Sequence, residues 1–352
     1  MLTIDKYKVS VNLSIRETVK IIDEGEIGFC VCVNNKDKVV GVVTDGDFRR
    51  SIYNGIKLDS KIKKIMNKTF YYVEDRYDLK KIKKIINESI VEQIPVLKNG
   101  LLIDILSADK YKGKRNKNNK FSMNNKVIIM AGGFGKRLDP FTRILPKPLI
   151  PIGNEPILKV IIDKFRKFGM KDFFITLNDK GKMIKAYFSD HELDCNIEYI
   201  EENKPLGTAG SLSYLQGKFS EPFFVSNCDI ITHANYSSVY DFHKQGSYDI
   251  TILCSMQKYT IPYGVCEINN NGMLKKIKEK PDYDFLVNTG LYLMNPIVLK
   301  HISKDKYLDM TDLIREIKKS GLKVGVYPVS EKSWIDVGQW SEYEKTIQEF
   351  DR

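Results

Sequence analysis

The run at residues 131–149, A-G-G-F-G-K-R-L-D-P-F-T-R-I-L-P-K-P-L, directly follows the apolar stretch Val127–Met130. Glycines at 132, 133 and 135 let the backbone approach a ligand closely, and successive exposed N–H groups then cradle an anion such as a phosphate. Arg137 and Lys147 add full positive charge. The run fits neither G-x-x-x-x-G-K-[ST] nor G-x-G-x-x-G. Three glycines alone would describe only a tight turn. Acidic residues recur downstream at the ends of apolar segments: Glu201 and Glu202 after Ile200, Asp229 in S-N-C-D after Phe223–Val225, and Asp336 in W-I-D-V-G.

Taken whole, residues 131–149 resemble the signature of sugar nucleotidyltransferases, which usually reads G-G-x-G-T-R-L…P-K-P. Lys136 stands here in place of the Thr. The resemblance runs to the end of the chain, and it implies roles for particular residues. Ala131, Gly132, Gly133 and Gly135 would bind the nucleotide. So would Glu202, Pro205, Gly207 and Thr208 of E-E-N-K-P-L-G-T-A-G, a form typical of guanylyltransferases. A guanine edge presents N1–H and N2–H2 donors, so it needs an acceptor; Glu201, Glu202 and a backbone carbonyl are the candidates. Arg137 and Lys147 would be catalytic. Asp229 and Asp336 would hold Mg2+, an ion that takes a few carboxylate oxygens and completes its shell with phosphate and water. Alone, either Asp would serve as a turn or cap residue. Tyr263, Gly264, Glu279, Lys280 and Asn288, in P-Y-G, E-K-P and V-N-T-G, would line the sugar phosphate site.

The implied reaction joins a nucleoside triphosphate to a sugar 1-phosphate with release of pyrophosphate. Its most specific form is GMP transfer from GTP to glucosamine 1-phosphate, for a bacterial surface glycan or nonulosonic acid. Mannose or heptose 1-phosphate is the alternative acceptor. A non-catalytic nucleotide-sensing subunit is the alternative of another class; the presence of Arg137, Lys147, Asp229 and Asp336 argues against it.

The elements that must position these residues alternate. Val127–Met130, residues 173–177, 197–200 and 223–225 read as strands. Helices are predicted from Pro156 through Phe165, and around Met183, Ile184, Tyr187 and Phe188, with further amphipathic helices at 309–317 and 343–350. Such alternation predicts an α/β fold with a mostly parallel mixed sheet, Rossmann-like, over residues 125–352. Ligands in such sheets sit beyond the carboxyl ends of strands, here after Met130, Ile200 and Val225.

The first 111 residues read as an internal repeat. Ser14 and Glu17 can form a capping box before the stripe Ile15, Val19, Ile22. Strands at 28–33 and 39–43 follow, the second ending in T-D-G-D-F-R-R. A helix with Leu79, Ile82, Ile85 and Ile86, then strands at 94–97 and 101–106, repeat the order. This resembles a tandem CBS pair, an α+β module. The resemblance implies a regulatory nucleotide whose ribose is held by Thr44 and Asp47. The second half has Leu106 where Thr44 sits in the first, so dimerisation is the alternative role.

Residues 112–124 form a basic linker between the two parts. The chain has 352 residues and a net charge of +11, of which residues 1–124 carry 25 basic against 16 acidic groups. Six of the basic groups fall within residues 110–120, with no acid and no aromatic interleaving that would suit nucleic acid. That stretch therefore reads as a solvated linker, and no nucleic-acid partner is expected. Six cysteines without C-x-x-C spacing form neither a disulfide framework nor a zinc site. No apolar run reaches the roughly 18–20 residues of a membrane span, and the charged start lacks a secretory signal. A cytoplasmic homo-oligomer without membrane contact is expected.

Overall fold

The structure is a computed structural model, and it describes residues 4–25, 27–88, 91–108, 123–133, 135–178, 180–190, 193–338, 340 and 342–344. The chain divides into two compact units, Met1–Asn119 and Lys120–Arg352, so the division falls inside the predicted linker. The basic run at 110–120 and most of the helix expected at 343–350 lie outside the described residues.

Unit one holds β1 (Lys8–Ser10), α1 (Ile15–Gly25), β2 (Phe29–Val33), β3 (Val39–Thr44) and α2 (Asp45–Tyr53). It continues with β4 (Val73–Glu74), α3 (Leu79–Glu88), β5 (Gln93–Lys98) and β6 (Leu101–Ser107). The predicted repeat is there in the pairing. β1 runs parallel to β2 and β2 antiparallel to β3; β4, β5 and β6 reproduce that pattern. Helix α1 starts at the expected box: Ser14 N donates to Glu17 Oε2 at 2.8 Å, and Glu17 N donates to Ser14 Oγ at 3.2 Å. Cys30 and Cys32 are buried in β2, as small apolar residues of a strand covered on both faces.

The second unit begins with β7 (Val127–Met130), α4 (Phe141–Ile144), the short pair β8 (Pro151–Ile152) and β9 (Glu155–Pro156), and α5 (Ile157–Arg166). Then come β10 (Asp172–Leu177), α6 (Gly181–Ser189), β11 (Asn196–Glu201), β12 (Phe223–Asn227), β13 (Ile230–Thr232) and α7 (Tyr236–Gly246). The rest is β14 (Ile250–Thr260), β15 (Val265–Ile268), β16 (Leu274–Lys278), β17 (Asp282–Met294), α8 (Met310–Lys319), β18 (Val324–Val329) and β19 (Trp334–Asp336). Seven strands make the central sheet in the order β11-β10-β7-β12-β17-β14-β18. All neighbours are parallel except β17, which is antiparallel to both β12 and β14. The sheet is thus mixed and mostly parallel, as expected.

Strand β7 is apolar throughout because both its faces are covered. Val127 and Ile129 pack with Ile161, Phe165 and Ile184 from α5 and α6, while Ile128 and Met130 face the cluster containing Leu313 and Ile317 of α8. Burying such side chains stabilises by about 1.5–3 kcal/mol each, so the strand's end is a firm platform for the loop that follows. No helix among the described residues is long and apolar enough to cross a membrane.

Candidate active site

Beyond the carboxyl end of β7, Ala131 N donates to Thr176 Oγ1 at 3.1 Å, tying the loop to β10. Two glycines are required by what they touch. A Cβ on Gly132 would lie 2.7 Å from Glu202 Oε1; on Gly135, whose φ is +68°, it would lie 2.9 Å from Thr142 Cγ2 and Lys147 Cβ. Gly133 faces open space. The loop borders a pocket of about 140 Å3 that Lys147, Asn178 and Lys180 also line. Lys180 donates to the Thr142 carbonyl at 2.7 Å, closing one wall.

The charged groups gather beside that pocket. Lys147, in a short helical turn after Pro146, is buried and its ammonium pairs with the buried carboxylate of Asp229. Arg137 is 63% exposed and its guanidinium lies 3.7 Å from Asp229 Oδ2. The antiparallel pair β13–β19 sets Ile230 opposite Asp336, which brings the second carboxylate to the first. Val337 N donates to Asp229 O at 3.0 Å and Gly338 N to Asp336 Oδ1 at 2.8 Å. The crowding is tight: a Cβ on Gly338 would run into the Asp229 carboxylate and lie 2.8 Å from both Asp336 Oδ1 and Lys147 Nζ. Burial pushes the Asp336 carboxyl up, and the Asp229 charge beside it pushes it further. Two hard carboxylate oxygens at one point suit a divalent cation with oxygen ligands. Among the described residues no cluster of three His, Cys, Asp or Glu adds to this pair.

Of the two glutamates, Glu201 is exposed and paired with Lys185, whereas Glu202 is buried against Gly132. Glu202 Oε2 accepts from Leu206 N at 3.4 Å, and burial raises its carboxyl above the usual range. Pro205 belongs to the same loop. Gly207 and Thr208 also shape the loop. Gly207, at φ +76°, passes so close to the 308 backbone that a Cβ would sit 2.6 Å from Leu308 O. Thr208 Oγ1 accepts from Met310 N at 2.8 Å at the start of α8.

The predicted sugar phosphate residues divide. The Asn288 side chain accepts from Gly290 N at 3.0 Å, and a Cβ on Gly290 would collide with Asn227, two residues before Asp229. Tyr263, Gly264, Glu279 and Lys280 lie together at the root of the β15–β16 hairpin, where a Cβ on Gly264 would be 3.0 Å from Glu279 Oε2. Among the described residues, neither Glu279 nor Lys280 forms an ion pair. In the first unit, Thr44 and Asp47 meet as a capping box on α2. Thr44 N donates to Asp47 Oδ2 at 2.9 Å, and Arg50 holds the other oxygen at 2.5 Å.

Asn178 was not predicted. It is the first residue past β10, and its Nδ2 is buried with no hydrogen-bond partner among the described residues. The same carboxyl-end rule that drew attention to Met130, Ile200 and Val225 applies to Leu177.

The nucleotidyl transferase family model matches residues 126–351, nearly all of the second unit. The chain belongs to the nucleotidyl transferase family. Within the first unit, residues 3–54 match the CBS domain model, the first half of the structural repeat. The nucleotidyl transferase unit is similar to a probable mannose-1-phosphate guanylyltransferase 3 of Oryza sativa subsp. japonica, 31% identical over 239 residues. It is also similar to a mannose-1-phosphate guanyltransferase of Aspergillus fumigatus, 32% identical over 235 residues. The rice alignment spans 62% of this chain and 62% of the relative, so the chain spans less than two thirds of the length of the curated relatives it matches. Among solved structures, HddC from Yersinia pseudotuberculosis matches with a TM-score of 0.51 and 22% identity, over 64% of this chain and 99% of that one. The same protein complexed with GMP-PN matches equally well. These structural likenesses bear on the fold.

Proposed function

We propose that residues 125–352 transfer GMP from GTP to a sugar 1-phosphate, releasing pyrophosphate. One observation carries this reading: Arg137, Lys147, Asp229 and Asp336 converge on one point beside a glycine-lined pocket. A non-catalytic nucleotide sensor would have no use for that convergence. The named activity of the 31–32% identical relatives supports guanylyl transfer.

An oxygen of the sugar 1-phosphate attacks the α-phosphorus of GTP, the bond to the bridging β-phosphate oxygen breaks, and pyrophosphate leaves. The nucleophile is already an anion at neutral pH, so no general base is needed. The barrier is the meeting of two anions and the charge on the leaving group, and fixed positive charge and N–H groups lower it. Backbone N–H groups around Gly133 hold phosphate. Lys147 steadies the α-phosphate region, and the exposed Arg137 swings onto the transferring and leaving phosphates. Asp229 and Asp336 would hold Mg2+, which supplies charge neutralisation on phosphate oxygens. Glu202 accepts from guanine N1–H and N2–H2, and Asn178 Nδ2 donates to an acceptor of the bound nucleotide. Lys280, Glu279 and Asn288 hold the acceptor sugar phosphate.

The acceptor is proposed to be glucosamine 1-phosphate, because the union of a CBS module with this catalytic unit resembles the guanylyltransferases of nonulosonic acid synthesis. Mannose 1-phosphate is the second reading, favoured by the names of the relatives. The first unit is proposed to bind a nucleotide at Thr44 and Asp47 or to dimerise the enzyme. A pyrophosphate-release panel tests the core of this: four triphosphates against glucosamine, mannose, heptose and glucose 1-phosphates. GTP with one of these acceptors should stand out. Turnover with no triphosphate would refute the enzyme reading.

A further inference from the structure

Glu202 carries a carboxyl group into an apolar place. Thr176 of β10 pairs with Ile200 of β11, and Glu202 follows Ile200 by two residues, so Thr176 and Glu202 share one face of the sheet. The short helical segment Gly210–Leu215 packs on that face, where Leu212 and Leu215 join Ile128, Phe174 and Ile200. Burial raises the Glu202 carboxyl, while the Leu206 N–H and the hydroxyls of Ser211 and Thr176 pull it back down. No cation among the described residues pairs with it. The titratable group that faces it is Tyr214, from the same segment as Ser211. That phenol is pushed up to about 12, first by its hydrogen bond to Asp305 and last by the Glu202 charge, so it stays neutral where a carboxyl titrates. Thr176 and Ser211 are both fully buried. Thr176 Oγ1 accepts from Ala131 N at 3.1 Å, which leaves its own proton to give. Ser211 Oγ makes no hydrogen bond of ordinary length among the described residues. A buried hydroxyl left so costs stability, and the carboxylate of Glu202 is the acceptor beside it.

We propose that Ser211 and Thr176 are positioning residues for nucleotide choice: their hydroxyls donate to the Glu202 carboxylate and fix it for the guanine edge. The inference rests on the reading of Glu202 as the guanine acceptor. A lysine in their place would neutralise the carboxylate and blunt its pull on the guanine N–H groups. A hydroxyl stabilises the charge and leaves it in place. Thr176 does a second thing with the same oxygen. It holds Ala131, the residue that opens the phosphate loop, so the group that reads the base and the loop that holds phosphate hang on one side chain.

The test is binding of GTP and of ATP to full-length protein, measured by calorimetry across a pH series from mildly acidic to alkaline. The proteins compared are the parent, Ser211→Ala, Thr176→Val and Thr176→Ser. Ser211→Ala removes a hydroxyl without an ordinary bond, so it folds as the parent does; Thr176→Val also strips Ala131 N of its acceptor. In the parent, GTP binding should tighten as pH rises and Glu202 ionises. In Ser211→Ala and Thr176→Val the pH at which it tightens should move upward, with GTP bound ~5–10-fold more weakly below that point, the scale of one hydrogen bond to a charged group. ATP binding should hardly change in Ser211→Ala, and Thr176→Ser should restore the parent's pH profile. A parent profile kept by both Ser211→Ala and Thr176→Val overturns this inference and leaves Glu202 as the acceptor. Equal weakening of GTP and ATP at every pH in Ser211→Ala also overturns it, because the hydroxyl would then serve packing alone. GTP binding in the parent that ignores pH removes Glu202 from guanine recognition and takes this inference with it.

Discussion

Asp229 and Asp336 stand 107 positions apart in the sequence and are brought together by three short residues of pairing, in which Ile230 sits opposite Asp336. The Asp336 carboxyl is raised by burial and by the Asp229 charge. A carboxyl raised on folding favours the folded state below its ordinary value, and that advantage is lost as pH climbs through the raised one. Asp336→Asn should therefore melt at higher temperature than the parent protein near neutral pH without metal, and the difference should vanish in acid. Adding Mg2+ should stabilise the parent and leave Asp336→Asn unmoved. Equal stabilisation of both proteins would remove Asp336 from the metal site.

Lys147 and Asp229 form a buried pair. Removing one partner leaves an uncompensated buried charge, which costs about 3–5 kcal/mol. Lys147→Met should lose stability on that scale in denaturant titrations. The double variant with Asp229→Asn should recover much of the stability and none of the activity. Recovery of activity would show that the pair serves folding alone.

Gly338 leaves no room for a side chain between three of the proposed functional groups. Gly338→Ala should cost about 1–3 kcal/mol, as overpacking does. It should also depress turnover far more than its stability loss accounts for. Turnover near that of the parent would mean that the three groups need not hold their positions.

Glu202 must be ionised to accept two donors from guanine, and burial raises its carboxyl. KM for GTP should therefore fall as pH rises through that raised value and then level off. Glu202→Gln should lose the pH dependence and about 10–100-fold in kcat/KM for GTP, the scale of one hydrogen bond to a charged group, about 1.5–3 kcal/mol. An unchanged preference for GTP over ATP in Glu202→Gln would assign guanine recognition to backbone groups.

The buried Asn178 amide nitrogen has no partner among the described residues. An amide that serves only the fold would be missed on removal; one waiting for a ligand would not. Asn178→Ala should match or exceed the parent in stability and bind GTP about 5–10-fold more weakly, the net value of one hydrogen bond, about 1 kcal/mol. A destabilised variant with parental affinity would reverse the assignment.

Much of this was legible in the sequence, for identifiable reasons. Strand β7 and helix α5 announce themselves because each must bury a fixed set of apolar side chains, and Ser14 with Glu17 marks a helix start locally. The choice between Glu201 and Glu202 was not legible. It turns on Glu202 N bonding to Leu177 O at 2.8 Å, which turns its side chain towards Gly132. Gly207 and Thr208 have Leu308 and Met310 as neighbours, about a hundred positions on. No local pattern carries that information.

The central claim is that one cationic cluster lets two phosphates meet, and Arg137 tests it most directly. Its exposed side chain holds little of the fold, so Arg137→Ala should fold normally. In single-turnover assays with GTP and the accepted sugar 1-phosphate, the account predicts a loss of at least ~10²-fold in the rate of pyrophosphate formation, the scale of removing one transition-state donor. A rate close to that of the parent protein would contradict it.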